Sequence, residues 1–335
     1  MASTIKDVAR YTGLSAATIS KYINGKKVLE QNEVKIDEAI NALDFKVNEF
    51  ARGLRTSKSS MIGVLIPNLE NIFFTGIVSN IESVLMQYGY STIICDCKQD
   101  MKLEESKTEF LLNKMVDGMI VIPLDNSGKN VRKAIDRGIP VVLVDRPMMD
   151  LICDTVLVDN LNASYNAVEA LITNGHRRIG IISGQPEIYT AQERLRGYIR
   201  VCEDYGMELD RELIKYGDYE AESGYCLMMG FLEMENPPTA VFVTNYEMTL
   251  GAVMAINDKK VAVPEEVSVI GFDNLQMSRV VSPPLSVVLQ PMSQIGDTAA
   301  NLILKRIRGD YSNFPAMHRL KTEVLIKESV KMLQR

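Results

Sequence analysis

From Met61 onward the chain is built of short apolar runs that end in polar residues or glycine: "MIGVLIP", "STIICD", "GMIVIP", "PVVLVD", "RIGIISG", "AVFVT" and "VSVIGFD". Segments with helical spacing of apolar residues lie between them. Strands buried on both faces read as continuous apolar runs, and strand-helix alternation makes a parallel sheet with helices on both faces. So many units exceed one compact sheet. The order also repeats, since "IGVLIP", a polar loop and a helix are echoed by "IGIISG", a polar loop and "ERLRGYIRVCEDYG". Two doubly wound lobes are expected, with the carboxyl ends of their strands turned toward a common cleft where ligands bind. A chain of 335 residues, 46% of them hydrophobic, can bury at least two such cores.

The common enzyme signatures do not occur. Only His176 and His318 offer imidazole chemistry, and no HExxH, GxSxG, Walker or GxGxxG pattern is present. Cys95, Cys97, Cys153, Cys202 and Cys226 are scattered and odd in number, without CxxC spacing, which indicates neither a disulfide framework nor a zinc site. No cofactor and no metal are expected. No stretch approaches the ~20 apolar residues of a membrane span, and the N-terminus lacks a secretory apolar run, so a cytoplasmic location without a membrane partner is the expectation.

Charge is unevenly spread. Residues 1–60 hold ten Lys/Arg against seven Asp/Glu, a net of +3, which leaves −9 for the rest of a chain whose total is −6. A basic head on an acidic body suits a module that binds a polyanion. Within that head, "TIKDVARYTGLSAATISKYING" has few large apolar residues for its length. Thr4 with Asp7 has the form of a capping box, Ile5, Val8 and Ala9 share a face, and Gly13 supplies a turn. Ser15 can cap a second helix whose inward face is Thr18 or Ile19 with Tyr22 and Ile23. Its outward face is Ala16, Ala17, Ser20 and Lys21, small residues that permit the close approach a helix needs in the DNA major groove. A third helix is expected to bury Val34, Ile36, Ile40 and Leu43. The alternative is a solvated bundle that merely caps the larger domain.

"NEFARGLRTSKSS" joins this bundle to the body. Asn48 can cap a short helix through Arg55, but Gly53 weakens it, so it should order only against a partner. Leu54 between Arg52 and Arg55 fits a minor-groove wedge flanked by cations. Equally, the segment reads as a linker whose Leu54 packs on the body.

The chain resembles the LacI/GalR family of bacterial transcriptional regulators. "TIKDVARYTGLSAATIS", "INGKK", "NEFARGLRT", "IGVLIPNLENIFFTGIVSNIE", "KMVDGMIVIP", "NGHRRIGIISG", "ERLRGY", "GDYEAESGY", "PPTAVFVTNYEMTLGAV", "VPEEVSVIGFDN" and "PPLSVVLQPMSQIG" carry the likeness, in family order, across essentially its whole length. The fold this implies is α/β: an N-terminal helix-turn-helix bundle over 1–46, a hinge helix and linker over 47–60, and a periplasmic-binding-protein-like body over 61–335. Lobe 1 would hold about 61–158 and 287–320, and lobe 2 about 159–286 and 321–335, with crossings near Val158, Ser286 and Leu320. The resemblance gives Ser15, Ala16, Ala17, Thr18, Lys21, Asn24, Asn48, Arg52 and Leu54 to the DNA side. Among them Lys21 is suited to donate to guanine O6 and N7. Leu29, Glu33 and Val47 depart from the family pattern at a helix cap, a phosphate contact and the residue before the hinge.

On the effector side it gives Phe73, Phe74, Asp125, Arg194, Tyr219, Asn245, Asp273 and Gln290. Carboxylates and amides suit hydroxyl groups, Arg194 presents a rigid fork of donors, and the aromatic rings offer flat faces to sugar C–H surfaces. Individually, Asp273 could instead cap the next helix and Arg194 could pair with a neighbouring carboxylate. Tyr246 replaces an acidic residue found in many relatives, which leaves room for an effector other than a simple free hexose. The function implied is a homodimeric repressor of a palindromic, double-stranded operator, controlled by a small sugar-like effector. A catabolite-control-type regulator governed by a phosphorylated carrier protein, an enzyme of doubly wound fold and an exported sugar receptor are the competing readings.

Overall fold

The computed structural model describes residues 3–23, 26–45, 58–124, 127–148, 150–273 and 275–333. The chain divides by its contacts into two units, Met1–Ser59 and Ser60–Arg335.

In the first unit, α1 (Ile5–Thr12), α2 (Ala16–Ile23) and α3 (Glu30–Ala42) enclose one small core. The Asp7 carboxylate accepts the Thr4 backbone N–H at 3.0 Å, the acidic half of the expected capping box. Gly13 closes α1 at φ 70°, in the left-handed region where a side chain would cost energy. Val8, Ile19, Ile36, Ala39 and Phe45 are buried together. Ile19, rather than Thr18, is thus the inward residue of α2. Val34, expected inside, is exposed. At 100° per residue it lies about 200° from Ile36, and the face of Ile36, Ala39, Ile40 and Leu43 takes the core instead.

The second unit runs β1 (Met61–Ile66), α4 (Ile72–Gln87), β2 (Ser91–Asp96), α5 (Met101–Asn113), β3 (Gly118–Val121), α6 (Lys129–Asp136), β4 (Val141–Val144), β5 (Asp154–Val158) and α7 (Asn160–Thr173). It continues with β6 (Ile179–Ser183), α8 (Tyr189–Asp204), β7 (Ile214–Tyr216), α9 (Ala221–Leu232), β8 (Ala240–Val243), α10 (Tyr246–Lys259), β9 (Ser268–Phe272) and α11 (Leu275–Val280). β10 (Ser286–Leu289), α12 (Met292–Ile307), β11 (Met317–Leu320) and β12 (Glu323–Leu325) complete it.

These strands form two sheets of the same winding, ordered β2-β1-β3-β4-β5-β11 and β7-β6-β8-β9-β10-β12. Neighbours are parallel, except that β12 runs antiparallel to β10. Each winding reverses between its first strand and the third, which opens a crevice at the carboxyl edge. Helices cover both faces of each sheet, so central strands such as β3, β4 and β8 are buried along their whole length.

The chain passes between sheets after Val158 and after Leu320. The middle crossing differs from expectation. Val287 and Val288 pair with Gly271 and Phe272 of β9, so β10 belongs to the second sheet and the chain crosses at Gln290 and Pro291, not near Ser286. The reason is that "SVVL" is apolar enough to be an inner strand, and α12, packed on α4, begins only beyond it.

Candidate functional site

Two sites were expected, and each lies within one unit. On the first, Ser15 Oγ accepts the Thr18 N–H at 3.2 Å and starts α2. Ser15, Ala16, Ala17 and Lys21 are exposed and Thr18 is half-buried. Burial of Ile19 fixes which way the helix turns. Tyr22 donates its hydroxyl to Asp37 of α3 at 2.7 Å, a bond that pushes the phenol up from its usual range and ties α2 to α3. One helix face is therefore held by the core while short side chains and one lysine occupy the other. Asn24, Asn48, Arg52 and Leu54 lie outside the described residues.

In the second unit the carboxyl edges of the two sheets meet at a cavity of about 260 Å³. Phe73, Phe74, Arg194, Tyr219, Asn245, Asp273 and Gln290 all line it, although they span more than two hundred positions of chain. Asp125 lies outside the described residues. Asn71 caps α4 by accepting the Phe73 N–H, which sets both phenylalanines at the cleft; their rings are 5.4 Å apart and tilted.

Arg194 projects from α8 and is almost wholly buried. Nε donates to Asn160 Oδ1 at 2.7 Å, Nη1 to the Thr244 carbonyl at 2.5 Å and Nη2 to Gln290 Oε1 at 3.5 Å. Its guanidinium lies 3.9 Å from the centre of the Phe272 ring. Among the described residues no side-chain carboxylate takes the fork. Gln290, at the crossing itself, gives Nε2 to both oxygens of Asp273 at 3.1 and 2.9 Å. Burial pushes the Asp273 carboxyl up to about 6, against the pull of Arg194 and of Gln290, and the charge of Asp145 adds to the rise. Asn245 accepts the Met248 N–H as the cap of α10 and donates to the Tyr219 carbonyl.

Asp145, which follows β4, escaped the sequence reading. It is the counterpart of Asp273, which follows β9: both strands hold the fourth place in their windings. Asp145 has φ 67° and donates its N–H to Val156 of the next strand, and Asp273 has φ 60° and donates to Val288. Gln99, at φ 56°, and Tyr219, at φ 73°, bring the left-handed residues in the lining to four. Non-glycine residues held in this region are uncommon and concentrate at ligand sites. The repeated strand ends "VLVDR" and "IGFDN" were the available signal. Three polar atoms here lack hydrogen-bond partners among the described residues: Asp145 Oδ1, Arg146 Nε and the Tyr219 hydroxyl, all shielded from solvent. Such groups are costly unless a ligand or water satisfies them.

Comparison with known proteins bears on both units. Residues 4–48 match the family model described as bacterial regulatory proteins, lacI family, and residues 59–332 match periplasmic binding proteins and sugar binding domain of LacI family. The HTH-type transcriptional repressor PurR of Actinobacillus pleuropneumoniae serotype 3 (strain JL03) is 32% identical, covering 99% of this chain and 100% of the relative. The lac repressor dimer bound to operator and the anti-inducer ONPF superposes with a TM-score of 0.89 at 25% identity, over 99% of this chain and 100% of that one. A transcriptional regulator CelR-cellobiose complex gives 0.75 at 27% identity, over 98% of this chain and 99% of that one.

Proposed function

Since the chain belongs to the LacI family of bacterial regulatory proteins, we propose that it binds a palindromic operator as a homodimer and that a sugar or sugar derivative in the cleft controls its occupancy. The chain is a DNA-binding transcriptional repressor of that family rather than an enzyme. What carries the effector half of the proposal is the cleft: polar strand ends from two sheets converge on one cavity that keeps a buried carboxylate oxygen and a buried hydroxyl unpartnered. The cellobiose in the CelR complex supports the ligand class.

In this mechanism Ala16 and Ala17 let α2 approach the base edges, Lys21 donates to guanine, and Ser15 and Thr18 face phosphate. Asn48, Arg52 and Leu54 supply the hinge that enters the minor groove. An effector that prefers one arrangement of the lobes changes the spacing of two hinges in the dimer, and a few kcal/mol of such preference switches occupancy. The test is selection of duplexes from a random pool, followed by anisotropy on the enriched site. An inverted repeat should emerge, and Lys21→Ala should weaken binding by about 1–3 kcal/mol while relaxing one base pair in each half-site. Equal affinity and specificity in that variant would remove the assignment of Lys21.

A basic pocket on the first lobe favours a second reading, control by a phosphorylated carrier protein. Tyr88, Asn301, Leu304, Lys305, Arg308 and Asp310 line it, and the Arg308 guanidinium stacks 4.9 Å from the centre of the exposed Tyr88 ring. Arg308→Ala should abolish salt-sensitive capture of a phosphorylated carrier if this reading holds.

A further inference from the structure

The charges around the cleft are unbalanced. Glu70, Asp145, Glu220, Glu247 and Asp273 line it, against Arg146 and Arg194. Both guanidiniums are held by the protein, although Arg146 Nε keeps no hydrogen-bond partner among the described residues. Arg194 is taken by Asn160, the Thr244 carbonyl and Gln290, while Arg146 lies 3.5 Å from the Asp145 carboxylate and donates to the carbonyls of Pro123 and Leu124. The described lining contains no lysine and no histidine. An anionic ligand would therefore add its charge to a lining in which five carboxyl groups face two guanidiniums.

The mouth is the more acidic part. Glu70 comes from the first lobe, and Glu220 and Glu247 from the second. Gln99 donates to Glu220 at 3.0 Å across the lobes. Burial raises the Glu247 carboxyl, and the charges of Glu220 and Glu70 raise it further, as expected of like charges that face each other. Among the described residues no group of side chains has the arrangement of a metal site. Deeper in, Asp145 Oδ1 is buried, lacks a donor and lines the same cavity.

We infer that the effector is an amine-bearing polyol, such as an amino sugar, whose ammonium group meets the Glu70, Glu220 and Glu247 mouth while a hydroxyl donates to Asp145 Oδ1. This rests on the reading that the cleft holds the effector. An ammonium supplies three donors and a positive charge where the cleft offers unneutralised carboxylates, and hydroxyls satisfy Asp145 and Tyr219. The same excess of carboxyl groups opposes phosphorylated and acidic sugars.

The experiment is calorimetric titration of the full chain with matched triplets: glucose, glucosamine and glucose 6-phosphate, and the corresponding galactose and mannose sets. The amine member of one triplet should bind at least tenfold more tightly than its neutral parent at 50 mM salt, and the phosphate should not bind. The paired variant Glu70→Gln, Glu247→Gln should reduce that preference to less than threefold. A neutral or phosphorylated member that binds as tightly as the amine overturns the inference, and silence from every amine member does so too. Asp145→Asn and Tyr219→Phe separate the two levels of the argument. Binding that is unchanged in both variants overturns the cleft reading itself, whereas binding weakened in them but indifferent to the amine overturns only the ligand class.

Discussion

Asp273 and His176 bring opposite pH dependences into the same unit. Burial pushes Asp273 up from 3.8 to about 6, so between those values the folded chain holds a proton that the unfolded chain releases. Its contribution is full below about pH 4 and is lost as pH rises through about 6. Asp273→Asn, neutral at every pH, is accordingly expected to raise the melting midpoint at pH 7.5 and to leave it nearly unchanged at pH 4.5. A loss at both values would show that the Gln290 bond outweighs the buried charge. His176 is fully buried, with Nδ1 3.0 Å from Thr239 Oγ1, and burial lowers its pKa from 6.5. Its contribution is full above that value and drains away as pH falls below it, so His176→Gln should flatten the acid side of the stability curve.

At the level of elements, the end of α12 is held to the start of β5 by one buried pair. Arg306 gives Nε and Nη2 to the two oxygens of Asp154 at 2.7 and 2.9 Å, and the Ala316 N–H adds a third bond to the carboxylate. Arg306 also donates to the carbonyls of Asp310 and Ser312, so a single side chain positions the loop that leads into β11. Arg306→Ala leaves a buried carboxylate without its partner and should cost about 3–5 kcal/mol in chemical denaturation. Asp154→Asn, which keeps one acceptor, should cost less. α9 and α10 pack through glycine: a methyl on Gly251 would strike the Ala221 carbonyl, and one on Gly224 would strike the Met248 carbonyl. Gly251→Ala should therefore destabilise the second lobe by about 1–3 kcal/mol, although the same change in an exposed helix would stabilise it. The helical signal of "MTLGAV" contains no trace of that contact.

For the whole molecule, three crossings join the two lobes, so neither lobe is a continuous stretch of chain and the sheets are expected to melt together. Residues 60–335 form a contact unit separate from 1–59, and removing 1–59 takes away a segment with ten Lys/Arg against seven Asp/Glu. A fragment of 60–335 should unfold in one transition by circular dichroism and should lose DNA binding, while the full chain loses affinity steeply with salt as counterions are released. Two separated transitions in the fragment would argue against coupling through the crossings.

Much of this architecture was legible in one dimension because apolar periodicity is local. Buried strands announce themselves as unbroken runs, a 3.6-residue spacing marks each helix, and the basic head stands out from the acidic body by composition alone. Phe73, Phe74, Arg194, Tyr219, Asn245, Asp273 and Gln290 could be proposed together through the family resemblance, and Asn245 and Asp273 also because residues that end inner strands of a doubly wound sheet face its crevice. Partnership is what the chain could not spell out. Val34 turned outward because α3 has one core face and Ala39 fills it, a choice made by the other two helices. The middle crossing moved to Gln290 because β10 found its register on β9. Arg194, legible as a free fork of donors, is held by Asn160, Thr244 and Gln290, whereas Asp145, passed over in "PVVLVD", keeps a carboxylate oxygen without a hydrogen-bond partner among the described residues. Hydrogen-bond valence is settled between residues brought together from distant parts of the chain, so the tertiary structure alone decided which polar groups the fold consumes and which it leaves for binding.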